Sequence, residues 1–265
     1  MTEKIGKLYL FPHTQSENNL GNVFSGWENP GLTTEGEKDA QAMGKLLRQN
    51  RIGFNLFECS TQKRSLQTLF NLCLTYYQEV DDEELRRFFE EVLSLSTQIF
   101  HNALPEVISD KDKPILERKI FRLNNTIVAP IIATTALVEK GYGIYAGRPR
   151  EDIREESNEI YRNLRDNSDY LPPSGENRHQ YAENYGMVRD RATPELELIK
   201  EELRNGKNIL HIGHSNTIRV IAATLLGNFS QEEKQKWRKI SIRNTMFKLN
   251  FDGKSKWEIV ESYKV

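Results

Sequence analysis

The chain has 265 residues, with 37 Lys and Arg against 38 Asp and Glu and a formal net charge of −1. This length can bury a sizeable core and suits an α/β domain carrying an insertion. Charges of both signs are interspersed, which argues against a nucleic-acid binder but leaves room for a local basic pocket for a small anion. Cys59 and Cys73 lack metal-ligand spacing and read as reduced structural thiols, as expected of a cytoplasmic protein. Met1-Thr2-Glu3-Lys4 leads into no signal-like apolar stretch, and no segment reaches membrane-span length, so no membrane partner is expected.

The first predicted element is the apolar strand Leu8-Tyr9-Leu10-Phe11, which runs into Pro12-His13-Thr14-Gln15-Ser16-Glu17-Asn18-Asn19. A strand end holds a histidine rigidly, and neutral imidazole can accept a transferable group at physiological pH. Such a histidine is more often a structural hydrogen-bonding group, so the catalytic reading of His13 depends on partners elsewhere. Val23 to Gly31 is a loop whose Phe24 and Trp27 either line a site or pin the loop to the core. Thr33 or Thr34 then caps a helix, with Ala40, Met43, Leu46 and Leu47 on one face and an end at Asn50 to Gly53.

A second strand, Phe54 to Ser60, opens into a helix beginning Thr61-Gln62-Lys63-Arg64. Cations are unfavourable in a first helical turn, because that end of the dipole favours negative charge. Arg64 there points either to an anion in front of the helix or to a solvated surface position. Between 81 and 128 the pattern changes. Leu85, Phe88, Phe89, Val92 and Leu95 fall at helical spacing, and a second helical stretch is predicted after Asp110-Lys111-Asp112-Lys113-Pro114. This segment reads as an inserted helical subdomain, a lid or a partner surface, without chemistry of its own.

Pro130 to Val138 returns the chain to the core in extended form and ends at Glu139-Lys140-Gly141-Tyr142-Gly143. A carboxyl there could give a proton to a leaving oxygen if burial favours its neutral form, although spacing alone fits an exposed structural Glu139 equally well. One polar helix is predicted over 150–166, carrying Arg154, Arg162 and Arg165. After a turn at Pro172-Pro173 comes a long helix to about Asn205. The third strand, Lys207 to Gly213, ends in His214-Ser215-Asn216-Thr217 before a helix and so repeats the pattern around His13. Ligands bind beyond the carboxyl ends of strands in open α/β sheets, so His13, Arg64 and His214 are expected to converge. Ser241 to Val260 reads as a terminal hairpin closing a sheet edge.

Together these segments resemble the histidine phosphatase superfamily, and within it the cofactor-dependent phosphoglycerate mutases. The opening stretch is similar to that family's Arg-His-Gly-Glu-Ser-x-x-Asn, with His13, Ser16 and Asn19 in register. Phe24-Ser25-Gly26-Trp27 resembles its Phe-Thr-Gly-Trp loop, and Ser60 to Thr68 its Ser-x-x-Lys-Arg-x-x-x-Thr segment. Glu139 to Gly143 resembles Glu-Arg-His-Tyr-Gly, and Gly213 to Arg219 the second histidine motif. The resemblance spans nearly the whole chain apart from 81–128. It implies a three-layer α/β/α sandwich around a mixed, mostly parallel sheet.

It also implies phosphoryl transfer through a phosphohistidine on His13. Arg64 and His214 would stabilise phosphoryl charge and Glu139 would serve as proton donor. Ser16, Asn19, Ser25, Gly26, Tyr142, Arg162 and Asn216 would bind phosphate or substrate. The resemblance implies no metal and no permanently bound cofactor, with 2,3-bisphosphoglycerate as the phosphoryl donor if the protein is a mutase. The expected partner is a small phosphorylated substrate, with a homo-oligomer or a protein partner through the insertion also in view. Three departures bear on activity. Pro12 stands where the family has arginine, Gly141 where it has histidine, and Asn163 where a paired arginine would follow Arg162, although Arg165 also fits the distance to Pro172. The expectation is therefore a weakened mutase-like or phosphatase enzyme, or alternatively a pseudoenzyme that keeps the fold to bind phosphate ligands or proteins.

Overall fold

A computed structural model describes residues 5–77, 80–103, 116–123, 128–227, 244–251 and 257–264. Among these, seven strands form one sheet: β1 (Lys7–Pro12), β2 (Leu56–Ser60), β3 (Arg118–Phe121), β4 (Ile131–Thr134), β5 (Ile209–Gly213), β6 (Thr245–Phe251) and β7 (Trp257–Lys264). Their spatial order is β3-β4-β2-β5-β1-β6-β7. The four central strands β4, β2, β5 and β1 are parallel, while β3 at one edge and the β6–β7 pair at the other are antiparallel.

Both faces of the central strands are covered, which is why they read as continuous apolar runs. Tyr9, Phe11, Phe57, Cys59, Leu210 and Ile212 pack under α2 (Thr34–Gln49), α3 (Lys63–Tyr76) and α4 (Asp82–Ala103). Leu8, Leu10, Leu56, Ile132 and Ile209 pack under α7 (Tyr185–Arg204) and α8 (Ser215–Leu225). The three-layer architecture implied by the motifs is the one observed. Cys59 and Cys73 are free and buried in the first of these layers.

The inserted segment departs from the prediction. Its first helix is α4, whose Leu85, Phe88, Phe89 and Val92 join the core. The second predicted helix begins in residues outside the described set, and the part that is described, 118–121, is strand β3. Pairing with β4, on which Phe121 is buried while Arg118, Lys119 and Ile120 stay exposed, outweighs the local helical pattern, because an unpaired β4 edge would leave its backbone groups unsatisfied. The stretch 150–166 is likewise two helices, α5 (Arg150–Glu156) and α6 (Asn158–Asp166). They break at Ser157, whose hydroxyl accepts the Ile160 amide and caps α6. The short helix α1 (Glu17–Leu20) is closed by a capping box between Ser16 and Asn19.

Because β1, β2, β4 and β5 run parallel, they end on one side of the sheet at Pro12, Ser60, Thr134 and Gly213. The residues that follow them build the site.

Candidate active site

His13 continues the β1–β5 ladder, its amide donating to the Gly213 carbonyl at 2.8 Å. On the other flank of β1 the pairing with β6 ends at Leu10, so Pro12 falls beyond that ladder and its missing N–H costs no strand bond. The His13 ring is fixed by Nδ1, 2.7 Å from the Thr14 carbonyl. A carbonyl only accepts, so Nδ1 carries the proton and Nε2 keeps its lone pair. Arg64 Nε lies 3.3 Å from that Nε2.

Arg64 sits in the first turn of α3 and is fully buried. Its guanidinium donates to the carbonyls of Glu28 (2.8 Å) and Gly26 (3.1 Å) and to Gln62 Oε1 (3.3 Å). Burial lowers its pKa to about 10, against the opposing pull of Glu139 and Glu28, so it remains a cation at neutral pH. The first-turn amide of Lys63 is taken by Asn29 Oδ1 at 2.7 Å. The helix start thus contributes to the site chiefly through Arg64.

Gln62 joins three motifs. Its Nε2 donates to the Gly26 and Glu28 carbonyls, and its Oε1 accepts the Glu139 amide at 2.8 Å. Gly26 has φ of +49°, and a Cβ on it would lie 3.2 Å from the Tyr142 amide nitrogen, so this turn needs glycine. The ring of Phe24 packs on Tyr142 with centroids 4.7 Å apart. Asn216 donates to the Tyr142 hydroxyl (2.9 Å) and accepts from Tyr185 (2.8 Å). Burial, then Glu139, pushes that Tyr142 hydroxyl up to about 12.

His214 is fully buried, its ring centroid 5.2 Å from that of His13. Burial first, then the charges of Arg64 and His13, holds its pKa well below the usual histidine value, so it is neutral. Its Nε2 meets Ser60 Oγ (2.9 Å) and Ser65 Oγ (3.2 Å), and its Nδ1 has no hydrogen-bond partner among the described residues. Burial also lowers Lys140 to about 8, against Glu139 and Glu183, with its Nζ 4.4 Å over the Tyr142 ring.

His13, Asn19, Ser25, Gly26, Arg64, Glu139, Tyr142 and Asn216 line one cleft of about 300 Å³. His214 is fully buried against the edge of the His13 ring, and Ser16 is buried as the cap of α1, where it orients Asn19. Arg162 is exposed and does not line the cleft. Its place is taken by Arg165, which sits nearly one helical turn further along α6, with Asp166 beside it. None of the described residues of 81–128 lines it. Arg150 and Arg219 are cleft residues that the sequence reading missed. Arg150 opens a helix after Pro149, the same unfavourable placement that flagged Arg64, and lies 4.8 Å over the Phe24 ring. Arg219 is four residues after Ser215 on α8 and so shares its face. Gly141, read as a departure, is required by packing: a Cβ there would lie 2.2 Å from the Tyr181 carbonyl oxygen.

The sequence profile of the histidine phosphatase superfamily (branch 1) matches residues 8–90 and 120–262. A 2,3-bisphosphoglycerate-dependent phosphoglycerate mutase 1 of Lactobacillus johnsonii is 27% identical over 237 residues, covering 82% of each chain. Among solved structures, a mycobacterial glucosyl-3-phosphoglycerate phosphatase is similar with a TM-score of 0.64 at 16% identity, covering 96% of this chain and 97% of that one. The alpha-ribazole phosphatase of Shigella flexneri matches with a TM-score of 0.62 at 17% identity, covering 96% and 94%. At those identities the structures speak for the fold, whereas the profile spans both histidine segments and every strand end of the cleft. The chain belongs to the histidine phosphatase superfamily, branch 1.

Proposed function

We propose that the protein cleaves small phosphomonoesters through a phosphohistidine on His13, with water as the principal acceptor. The observation that carries this reading is the His13 ring. Its Nδ1 is tied to the Thr14 carbonyl, and its Nε2 faces a buried guanidinium in a cleft that also holds a carboxyl.

The chemistry follows from these positions. A phosphoryl oxygen is a stronger acceptor for the Arg64 Nε–H than a neutral imidazole, so substrate releases the Nε2 lone pair as it docks. Nε2 then forms the N–P bond while the ester P–O bond breaks, and Glu139 gives its proton to the leaving oxygen. The positive charge left on the His13 ring is held by the Nδ1–H bond to Thr14. In the second step water attacks phosphorus, its proton passes to Glu139, and the N–P bond breaks to release phosphate. His214 Nδ1, without a partner, is the group a phosphoryl oxygen would satisfy. Arg150, Arg165 and Arg219 supply cations that Pro12 does not.

A mutase cycle would use 2,3-bisphosphoglycerate to charge His13. The same three arginines would hold its second anionic end, but Asp166 among them opposes that charge, which favours hydrolysis. The test is phosphate release from a panel of phosphomonoesters. The natural chain should release phosphate from at least one of them, and His13→Ala should abolish it. Turnover that survives in His13→Ala removes the nucleophile assignment. Ligand binding without turnover in the natural chain would instead make the protein a binding module.

A further inference from the structure

Arg191 stands in the middle of α7 and is 8% exposed, a costly place for a guanidinium unless its donors are all used. Its Nε and Nη2 grip the Glu183 carboxylate at 2.7 and 3.0 Å. Nη1 donates to the Ala136 carbonyl at 2.6 Å, and Nη2 to those of Val138 (2.8 Å) and Glu139 (3.2 Å). After β4 the chain makes one 3-10 turn, Thr135–Leu137, and has no strand partner among the described residues, so these carbonyls need donors from elsewhere. Glu183 completes the grip from the far side. Its Oε2 accepts the Gly141 amide at 3.0 Å, and its own amide donates to the Gly141 carbonyl at 3.1 Å.

The turn carrying Glu139 is therefore held on both sides by one ion pair. Thr217 Oγ1 on the Val138 carbonyl (2.7 Å) and Trp27 Nε1 on the Glu139 carbonyl (2.7 Å) complete the frame. Within it the Glu139 carboxyl turns back so that Oε1 accepts the Lys140 amide at 2.8 Å, and the residue lines the cleft.

We propose that Arg191, clamped by Glu183, is a positioning residue that aims the Glu139 carboxyl at the leaving oxygen. The inference rests on Glu139 being the proton donor proposed above. A merely structural ion pair could be exchanged for apolar residues with no selective effect on one chemical step. A positioning role is different, because it matters only where the leaving group needs a proton. A nitrophenolate departs without one, whereas an alkoxide does not.

The experiment compares kcat/KM, which reports the phosphorylation step, for an alkyl phosphomonoester and for p-nitrophenyl phosphate. It does so in the natural chain, in Glu139→Gln, in the double variant Arg191→Met with Glu183→Gln, and in Arg191→Lys. The double variant avoids leaving one charge buried alone, and Arg191→Lys keeps the charge should the double variant not fold. The alkyl-to-nitrophenyl ratio should fall about 10²-fold in Glu139→Gln and at least about tenfold in the double variant, with Arg191→Lys in between. If Glu139→Gln lowers the ratio and the folded Arg191 variants do not, the clamp is overturned and the donor assignment stands. If Glu139→Gln itself leaves the ratio unchanged, the donor assignment falls and takes the clamp with it.

Discussion

Arg64 Nε and His13 Nε2 face each other across 3.3 Å, although the two residues belong to different strand ends 51 positions apart. The contact fixes the imidazole tautomer from one side as Thr14 fixes it from the other. It also ties nucleophile geometry to the 24–28 loop, because the same guanidinium holds the Gly26 and Glu28 carbonyls. Arg64→Lys keeps a charge but cannot span these acceptors. Its kcat should fall by about 10²–10³, and the unfolding midpoint should drop as the two carbonyls lose donors, measured by steady-state kinetics and thermal melts of the same preparation.

Pro12→Arg tests how far the cleft arginines replace the missing one. A preorganised cation at a phosphoryl group is worth about 10²–10³ in rate, so kcat should rise measurably and by no more than that factor. An unchanged kcat would mean that Arg150, Arg165 and Arg219 replace the missing guanidinium in full rather than in part.

Gly141→His would restore a family residue and should nevertheless damage this protein. The new Cβ would sit 2.2 Å from the Tyr181 carbonyl oxygen, within the turn that presents Glu139. A loss of about 1–3 kcal/mol in denaturant unfolding is expected, together with lower activity. A variant of undiminished stability would show that this turn can shift.

How much of this was legible depended on whether a residue announces itself locally. His13, Arg64 and His214 did, because each follows an apolar strand and breaks the pattern there, and the parallel topology then brings them together. Arg150 carried a local signal that went unread. Arg191 and Glu183 carried none, since a charged residue within an amphipathic helix, or just ahead of one, looks like solvated surface until the loop it supports is known. Arg162 came from aligning Tyr161-Arg162 with the family motif, an alignment that left Arg165 open by its distance to Pro172, and the face of α6 that lines the cleft carries Arg165. Strand β3 was hidden because only the exposed edge of β4 makes that segment extended.

A second buried network predicts an unusual pH response. Glu58 and Glu195 are buried carboxyls of one charged network, with His211 Nδ1 3.0 Å from Glu58 and Arg118 Nε 2.8 Å from Glu195. Burial raises both carboxyls from 4.5 to about 7, and in Glu195 the neighbouring Glu58 adds to the rise. The native state thus keeps protons that the unfolded chain has lost, so this contribution is complete below 4.5 and disappears as pH rises through 7. His211, pushed down by burial to about 4, acts oppositely and only below 6.5. Between about pH 6.5 and 8 the natural chain should therefore lose on the order of 1 kcal/mol of unfolding free energy. Glu195→Gln, which does not titrate, should flatten that slope; parallel curves would show that Glu195 does not carry the response.

The most direct measurement of the central claim is acid-quenched and alkali-quenched trapping of the protein after brief exposure to a 32P-labelled phosphomonoester. The account predicts a label that is stable in alkali, lost in acid, mapped to the peptide containing His13 and absent from His13→Ala. Phosphate release with no trapped label at any quench time, or a label that persists in His13→Ala, would contradict it.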